Sequence, residues 1–258
     1  MKRVAVGVLI LVALCALFAP LIAPYDYSRQ FRESPGVTAN SQFPMGTDDL
    51  GRDRFSRLIY ATRISIVLAP AAALVSILLA LLISAVTATR AAWADHTLSG
   101  FTALCMSLPW IFLFIILRAL LPLNTQPVES ILITFGLMGI AGWAWPARIF
   151  TASIREMTNS GWLVQARASG MAPRRIALVH AWPHLRAVAA AQFRALLPAY
   201  ILSEASLGLL GLGVAEPLPS WGNLLAELQH PDRIQSNPWV LAPLGLLMIV
   251  MICLEVIQ

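Results

Sequence analysis

The chain has 258 residues, of which 58% are hydrophobic and only 12% are charged, and its formal net charge is +5. A soluble domain carries about 25% charged residues, so this chain has too few polar groups to cover a globule in water. The composition excludes an ordinary soluble domain and predicts an all-α integral membrane protein, because helices satisfy their own backbone hydrogen bonds in lipid. The basic excess fits the flanks of membrane spans, and no basic-aromatic stripe indicates nucleic acid as a partner.

Six apolar segments are long enough, at about 20 residues each, to cross a bilayer as helices. The first follows Lys2 and Arg3 and is longer than the apolar core of a cleaved signal peptide, so we expect it to remain as a span. The predicted spans are 4–23, 64–88, 98–121, 128–149, 187–212 and 239–257. We therefore divide the chain into a first transmembrane helix over 1–23, an external loop over 24–63, and a core of five further transmembrane helices over 64–258.

A turn-rich polar segment, FPMGTDDLGRD over 43–53, stands out in the loop after the first span. Its glycines permit tight backbone turns, and Asp48 and Asp49 are placed to cap the amphipathic turn that follows. Its three aspartates lack the ligand spacing of a calcium loop, so we predict no metal site. The candidate residues of this external-loop motif are Gly46, Thr47, Asp48, Asp49, Gly51, Arg52 and Asp53.

Two ionisable residues lie at or within the predicted spans. Charged groups in a bilayer cost free energy and usually face a cavity or a partner. Glu204 lies within the fifth span, and Arg118 lies near the end of the third. We take both as candidates for the translocation pathway, with an interspan ion pair as the alternative for Glu204 and extension to the interface as the alternative for Arg118.

A second polar segment, about 155–185, separates the fourth and fifth spans and contains WLVQARASG over 162–170. The pattern predicts a short helix over 163–169, which Gly170 ends in a left-handed conformation, and a second helix starting at Pro173. Arg174 and Arg175 then lie in a first helical turn, against the preference of the helix dipole. That conflict indicates other partners for them, such as acidic groups on another subunit or lipid phosphates.

The sequence carries no recognisable catalytic machinery. His180 and His184 have i,i+4 spacing, but no Glu lies between them, and Pro183 disturbs the helix that a zinc site of this kind needs. The phosphate-binding pattern GxxxxGK[ST] is absent, so we predict that this chain binds no ATP and no other cofactor. A stand-alone secondary carrier remains as an alternative, although we find no internal repeat of the kind carriers show.

Three segments of the sequence carry a resemblance to one family. They are the external-loop motif continuing to Tyr60, the stretch EASLGLLGLG over 204–213 followed by PSWGN over 219–223, and the polar segment between the fourth and fifth spans. Together they resemble the C-type permease subunit of bacterial dipeptide, oligopeptide and nickel ABC importers. The resemblance implies a six-helix, type I importer permease fold with a cytoplasmic coupling helix, and a chain that is not itself an enzyme.

The resemblance also implies an assembly and a location. A second, homologous permease completes the pathway as a heterodimer, and two cytoplasmic ATPase subunits hold the ATP and Mg. An extracytoplasmic binding protein delivers di- or oligopeptides, with nickel or another small solute as the alternative. The chain is then a multi-pass protein of the bacterial inner membrane with both termini in the cytoplasm. The ATPase-coupling residues implied are Gln165, Ala166, Arg167, Gly170, Arg174, Arg175, Ile176 and Pro183.

Two features depart from the family pattern. The coupling motif usually opens with an acidic residue, where this chain has Val164 or Gln165. We therefore expect no salt bridge to the ATPase from that position. Relatives usually carry a short polar tail after the last span, whereas this sequence stops at Gln258 in apolar sequence, so we expect a truncated or naturally short form.

Overall fold

A computed structural model of the protein describes residues 1–88, 92–107, 110–120 and 126–257. The described residues form helices, turns and one isolated antiparallel bridge between Thr47 and Asp53, which confirms the all-α prediction for this part of the chain. The α-helices in chain order are α1 Lys2–Leu17, α2 Ala19–Ile22, α3 Arg54–Ala88, α4 Ala92–Ser107, α5 Trp110–Ala119, α6 Pro127–Ala141, α7 Ala144–Thr158, α8 Gly161–Ala168, α9 Pro173–Ile176, α10 Trp182–Leu209, α11 Trp221–Ala226, α12 Pro231–Ser236 and α13 Ala242–Ile257. A π-helical turn, Ala177–Ala181, joins α9 to α10.

Four helical runs in the described part of the chain are long and apolar enough to cross a membrane. They correspond to the second, fourth, fifth and sixth predicted spans. A bent helix pair corresponds to the third predicted span and gives a fifth candidate if its two halves count as one. The four runs are Arg54–Thr87, Pro127–Thr158, Pro173–Leu209 and Pro238–Ile257, and the bent pair is Gly100–Ser107 with Ile111–Leu117.

The first predicted span, over 4–23, is not one continuous helix. The helix α1 ends at Leu17, and Pro20 lies in the first turn of α2. Proline has no backbone N–H and is favoured in the first turn of a helix, so its position fits a new helix that starts here. The 16 residues of α1 fall short of the length that crosses a bilayer, which is about 20 residues. The helical stretch over 2–22 is therefore broken once, at Phe18.

The helix α3 begins at Arg54, inside the segment 24–63 that the sequence predicts as a loop. The carboxylate of Asp53 accepts the backbone N–H of Ser56 at 2.8 Å and its hydroxyl at 2.6 Å, which satisfies a donor of the first turn. The guanidinium of Arg54 pairs with Glu227 from a distant part of the chain. Tertiary contacts thus extend the helix beyond its apolar stretch.

The described residues divide into two compact units, and the first contains the external-loop motif. Within it, α1 packs against α13. Its core holds large side chains with almost no solvent exposure, among them Phe43, Tyr200 and Trp221. This unit comprises Met1–Ala71, Ile115–Gly136 and Leu197–Gln258.

The second unit contains the polar segment between the fourth and fifth spans. Serine hydroxyls hold α3 to the following spans: Ser76 donates to the carbonyl of Gly139 at 2.6 Å, and Ser84 donates to the carbonyl of Ala147 at 2.9 Å. A Cβ added to Gly139 would lie only 3.1 Å from the Val75 side chain, so a small residue permits this close approach. This unit comprises Ala72–Phe114 and Leu137–Leu196.

Candidate functional site

The polar segment between the fourth and fifth spans folds as two short helices, α8 and α9, joined by a tight turn. The predicted helix is confirmed as Gly161–Ala168, and Gly170 has a φ of +73° as expected for a left-handed helix terminator. The N–H of Gly170 donates to the carbonyl of Arg167 at 3.0 Å, and the N–H of Met171 donates to that of Ala166 at 3.1 Å. These paired bonds are the Schellman arrangement, which satisfies carbonyls at the helix end.

An apolar contact on one side of this turn fixes the two helices to each other. Leu163 and Ala166 from α8 are buried together with Ile176 from α9, and Met171 from the turn packs against them. A hydrophobic contact of this kind frequently accompanies the Schellman arrangement. The turn therefore has a defined shape.

Three arginines of α8 and α9 are open to solvent. Arg167, Arg174 and Arg175 are all exposed. Val164 and Gln165, the two positions where the family pattern has an acid, are exposed as well, and so is Pro183. The predicted coupling residues thus divide into a buried pair, Ala166 and Ile176, and an exposed set.

A groove of about 610 Å³ lies beside α8 within the second unit. Its lining is mostly apolar and includes Met157, Trp162, Leu163 and Met171. The guanidinium-bearing residue Arg167 also lines it. The surface can therefore receive apolar side chains together with an acidic group, a combination found at protein interfaces.

Backbone turns set the shape of the external-loop motif in the first unit. Gly46 and Gly51 both have a φ of +74°, and an added Cβ would overlap the carbonyl oxygen of Val37 at Gly46 and of Phe31 at Gly51. Thr47 is buried, and its hydroxyl accepts the N–H of Val37 at 2.9 Å. Only glycine satisfies both the conformation and the space at these two positions.

Four charged side chains of the first unit form one ion cluster. Asp48 accepts the side-chain Nε of Arg52 at 2.6 Å, and Arg52 also donates to Glu216 at 2.6 Å. Arg57, which is almost completely buried, donates to the other oxygen of Glu216 at 2.9 Å. Burial lowers the pKa of Arg52, but the charges of Asp48 and Glu216 outweigh it and raise the pKa above its ordinary value. The cluster ties the external-loop motif to the chain that follows the fifth span.

The aspartates of the motif have different roles from those expected. The capping role predicted for Asp48 and Asp49 belongs, at the start of α3, to Asp53, because the helix begins only at Arg54. Asp48 instead accepts the N–H of Leu50 at 3.0 Å within its own turn. Asp49 is exposed and pairs with Arg233.

Of the two candidates within the spans, Glu204 has no solvent exposure and is part of a buried hydrogen-bond network. Its carboxylate accepts the hydroxyl of Ser65 at 2.9 Å and the N–H of Gly222 at 3.2 Å. The side chain of Arg118 lies outside the described part of the protein.

Sequence reasoning missed Glu216 and Ser65 as members of these polar clusters. Glu216 contacts an arginine 159 residues away in the chain, and Ser65 lies 139 residues from Glu204. Single serines in apolar helices and a lone acid in a loop carry no local signal. The stretches EASLGLLGLG over 204–213 and PSWGN over 219–223 were the nearby signs, since Glu216 lies between them.

Comparison with known proteins gives matches over almost the whole chain. Residues 76–258 match the family described as binding-protein-dependent transport system inner membrane component, and residues 3–39 match the N-terminal TM domain of oligopeptide transport permease C. The chain is 30% identical to the di/tripeptide transport system permease protein DppC of Pseudomonas aeruginosa, over 92% of this chain and 78% of that protein. It is 29% identical to the oligopeptide transport system permease proteins OppC of Bacillus subtilis and Escherichia coli K12, over 97% of this chain and 80% and 81% of those proteins.

These matches confirm the resemblance that three polar segments of the sequence carried. The family match spans well over half of the chain and includes α8, α9 and Glu204. The chain belongs to the family of binding-protein-dependent transport system inner membrane components.

Proposed function

We propose that the chain is one permease subunit of an ATP-driven importer of di- or oligopeptides. The relatives named above are peptide permeases, and their similarity extends over more than nine tenths of this chain. This supports a peptide over the nickel alternative. The proposal includes the six-span fold of type I importers. Four spans are the long helical runs, the fifth is the bent helix pair, and the sixth is the chain from Lys2 to Ile22.

The proposed assembly contains four further proteins. A second, homologous permease forms the other half of the pathway, two ATPase subunits bind ATP and Mg in the cytoplasm, and a binding protein delivers peptide from outside. The chain itself supplies no catalytic group. It lies in the bacterial inner membrane with both termini and the segment 155–185 in the cytoplasm.

The observation that carries this proposal is the shape and charge of α8 and α9. The Schellman turn at Gly170 and the buried contact of Ala166 with Ile176 hold the two helices in one arrangement. Arg167, Arg174 and Arg175 are exposed, and Arg167 lines the apolar groove beside α8. A rigid helix that carries an exposed arginine can transmit the movement of a docked ATPase to the neighbouring helices. Here these are α7, which precedes α8 in the chain, and α10, which follows α9. We therefore assign α8 as the coupling helix.

The test is uptake by the reconstituted transporter. The chain is co-expressed with the second permease, ATPase and binding-protein subunits of the same organism, purified, and placed in vesicles that contain ATP. We expect the ATPase subunits to purify with the chain, and labelled dipeptide or oligopeptide to accumulate only when the binding protein is present. Uptake of nickel without uptake of peptide would refute the substrate assignment, and uptake by the chain alone would refute the assembly.

A further inference from the structure

The carboxylate of Glu204 lies where three parts of the first unit meet. It projects from α10, accepts the hydroxyl of Ser65 from α3, and accepts the backbone N–H of Gly222 at the start of α11. Glu204 and Ser65 are both fully buried. A buried carboxylate is stable only when donors surround it, and here the donors come from the elements it joins.

Ser65 extends this network to the next residue of α11. While its hydroxyl hydrogen points to Glu204, its oxygen accepts the N–H of Trp221 at 3.2 Å. The indole N–H of Trp221 donates to the hydroxyl of Thr62, one turn earlier on α3, at 3.1 Å. Both α3 and α10 are therefore bonded to the first residues of α11.

A second serine fastens the chain just before α11. Ser130 of α6 accepts the N–H of Ala215 at 2.7 Å and donates to the carbonyl of Gly213 at 3.3 Å. The amide of Asn223 closes the segment on itself by donating to the carbonyl of Val214 at 2.7 Å. We call residues 213–223 the anchored segment, because buried polar groups from α3, α6 and α10 all hold it.

Close backbone packing leaves the anchored segment little freedom against α10. A Cβ added to Gly208 would overlap the backbone of Gly222, and a Cβ added to Gly222 would lie 2.8 Å from the Cα of Gly208. The two backbones are therefore in direct contact one turn after Glu204. Hydrogen bonds and packing act at the same place.

We propose that Glu204 is a positioning residue that holds the anchored segment to α3 and α10, so that the segment moves with these helices as one body during transport. Glu204 acts through Ser65 and Gly222 and does not contact the transported solute. The inference that the segment moves with its helices during transport rests on the proposed permease function. The attachment of the segment by Glu204 does not, because it is tested without measuring transport.

The test measures how accessible the anchored segment is. Cys15, Cys105 and Cys253 are first replaced by alanine, and Val214, which is only 4% exposed, becomes the single cysteine. Labelling of Val214→Cys with a polar maleimide is followed in the detergent-solubilised transporter. Losing hydrogen bonds to a charged group favours local opening, so we expect Glu204→Ala to raise the labelling rate by at least about tenfold.

The variant Glu204→Gln separates positioning from a general loss of folding. Its amide oxygen can accept the N–H of Gly222, and its amide N–H can donate to Ser65, so labelling should stay within about threefold of the parent. Ser206→Ala is the matched control on α10, because the Ser206 hydroxyl is exposed and bonds only to the carbonyl of Leu202 in its own helix. A single cysteine at exposed Gln235 reports the total reactive protein in every variant.

Three results from the Glu204 variants and the parent would overturn the inference. The first is unchanged labelling in Glu204→Ala, and the second is equal labelling in the Gln and Ala variants. The third is that Val214→Cys in the parent becomes reactive during ATP turnover, because the segment then moves against its helices. If Glu204→Ala does not yield protein, Ser65→Ala removes the same link, and it should raise labelling as well; unchanged labelling in Ser65→Ala also refutes the inference. Because labelling needs no uptake, a failure of the peptide assignment is seen separately in the vesicle assay.

Discussion

At the scale of single residues, the buried arginine Arg57 shows how the external-loop motif holds together. Its side chain is 2% exposed and donates both to Glu216 and to the carbonyl of Pro217. Glu216 is half-exposed and also pairs with Arg52. The loss of Arg57 therefore does not leave a buried carboxylate without a partner. The contribution of Arg57 is thus smaller than that of a fully buried pair, but larger than that of a surface pair.

We predict that Arg57→Met lowers the free energy of unfolding by about 2–3 kcal/mol, the range for hydrogen bonds to charged groups. The matched control is Arg233→Met, which removes the exposed pair with Asp49 and should cost less than about 1 kcal/mol. Thermal unfolding of the purified, detergent-solubilised protein measures both. Equal melting temperatures for the two variants would show that the cluster does not stabilise the motif.

At the scale of elements, the turn between α8 and α9 depends on one backbone conformation. Gly170 has a positive φ, but an added Cβ would meet no atom within 4 Å. A substitution there consequently tests the left-handed conformation alone, without a clash. Asparagine tolerates this conformation, whereas a β-branched residue does not.

We predict that Gly170→Val lowers the ATPase activity of the assembled transporter, because the left-handed conformation costs roughly 1–2 kcal/mol for a residue with a Cβ. That cost reduces the population of the docking arrangement by a factor of roughly 5–30. Gly170→Asn is the control and should retain most of the activity. ATP hydrolysis stimulated by loaded binding protein is the measurement, and full activity in the Val variant would contradict the coupling role of this turn.

The elements also show where sequence reasoning works and where it stops. Apolar stretches of about 20 residues locate the long helices, because hydrocarbon thickness sets their length. The turn at Gly170 was equally predictable, since its signal is local. The start of α3 at Arg54 was not, because the ion pair of Arg54 with Glu227 joins residues 173 positions apart.

At the scale of the whole molecule, charge should govern how the permease binds the proposed ATPase subunits. The exposed Arg174 and Arg175 lie in the first turn of α9, where the helix dipole disfavours cations. An acidic partner surface would offset that cost. The family pattern has an acidic residue where this chain has Val164 or Gln165. Without it, electrostatic attraction to an ATPase would depend more on Arg174 and Arg175.

We predict that Arg174→Glu/Arg175→Glu weakens association with the ATPase subunits by roughly tenfold at low salt, and by less at high salt, where the Debye length is short. The matched control is Arg29→Glu/Arg32→Glu, which reverses two exposed arginines in the loop before the external motif. Affinity of the purified permease pair for the ATPase subunits is measured at two salt concentrations. An equal loss in both double variants, or no dependence on salt, would contradict docking through α9.

The backbone contact between Gly208 and Gly222 also limits how this sequence can diverge. A side chain at either position requires α11 to move away from α10, and no single neighbouring replacement can provide that space. Neutral substitutions are therefore expected to be rare at these two glycines and more frequent at glycines such as Gly100, where an added Cβ has no atom within 4 Å. Libraries built to change the transported solute should leave both glycines fixed, because variants at either one lose their fold before selectivity can be observed.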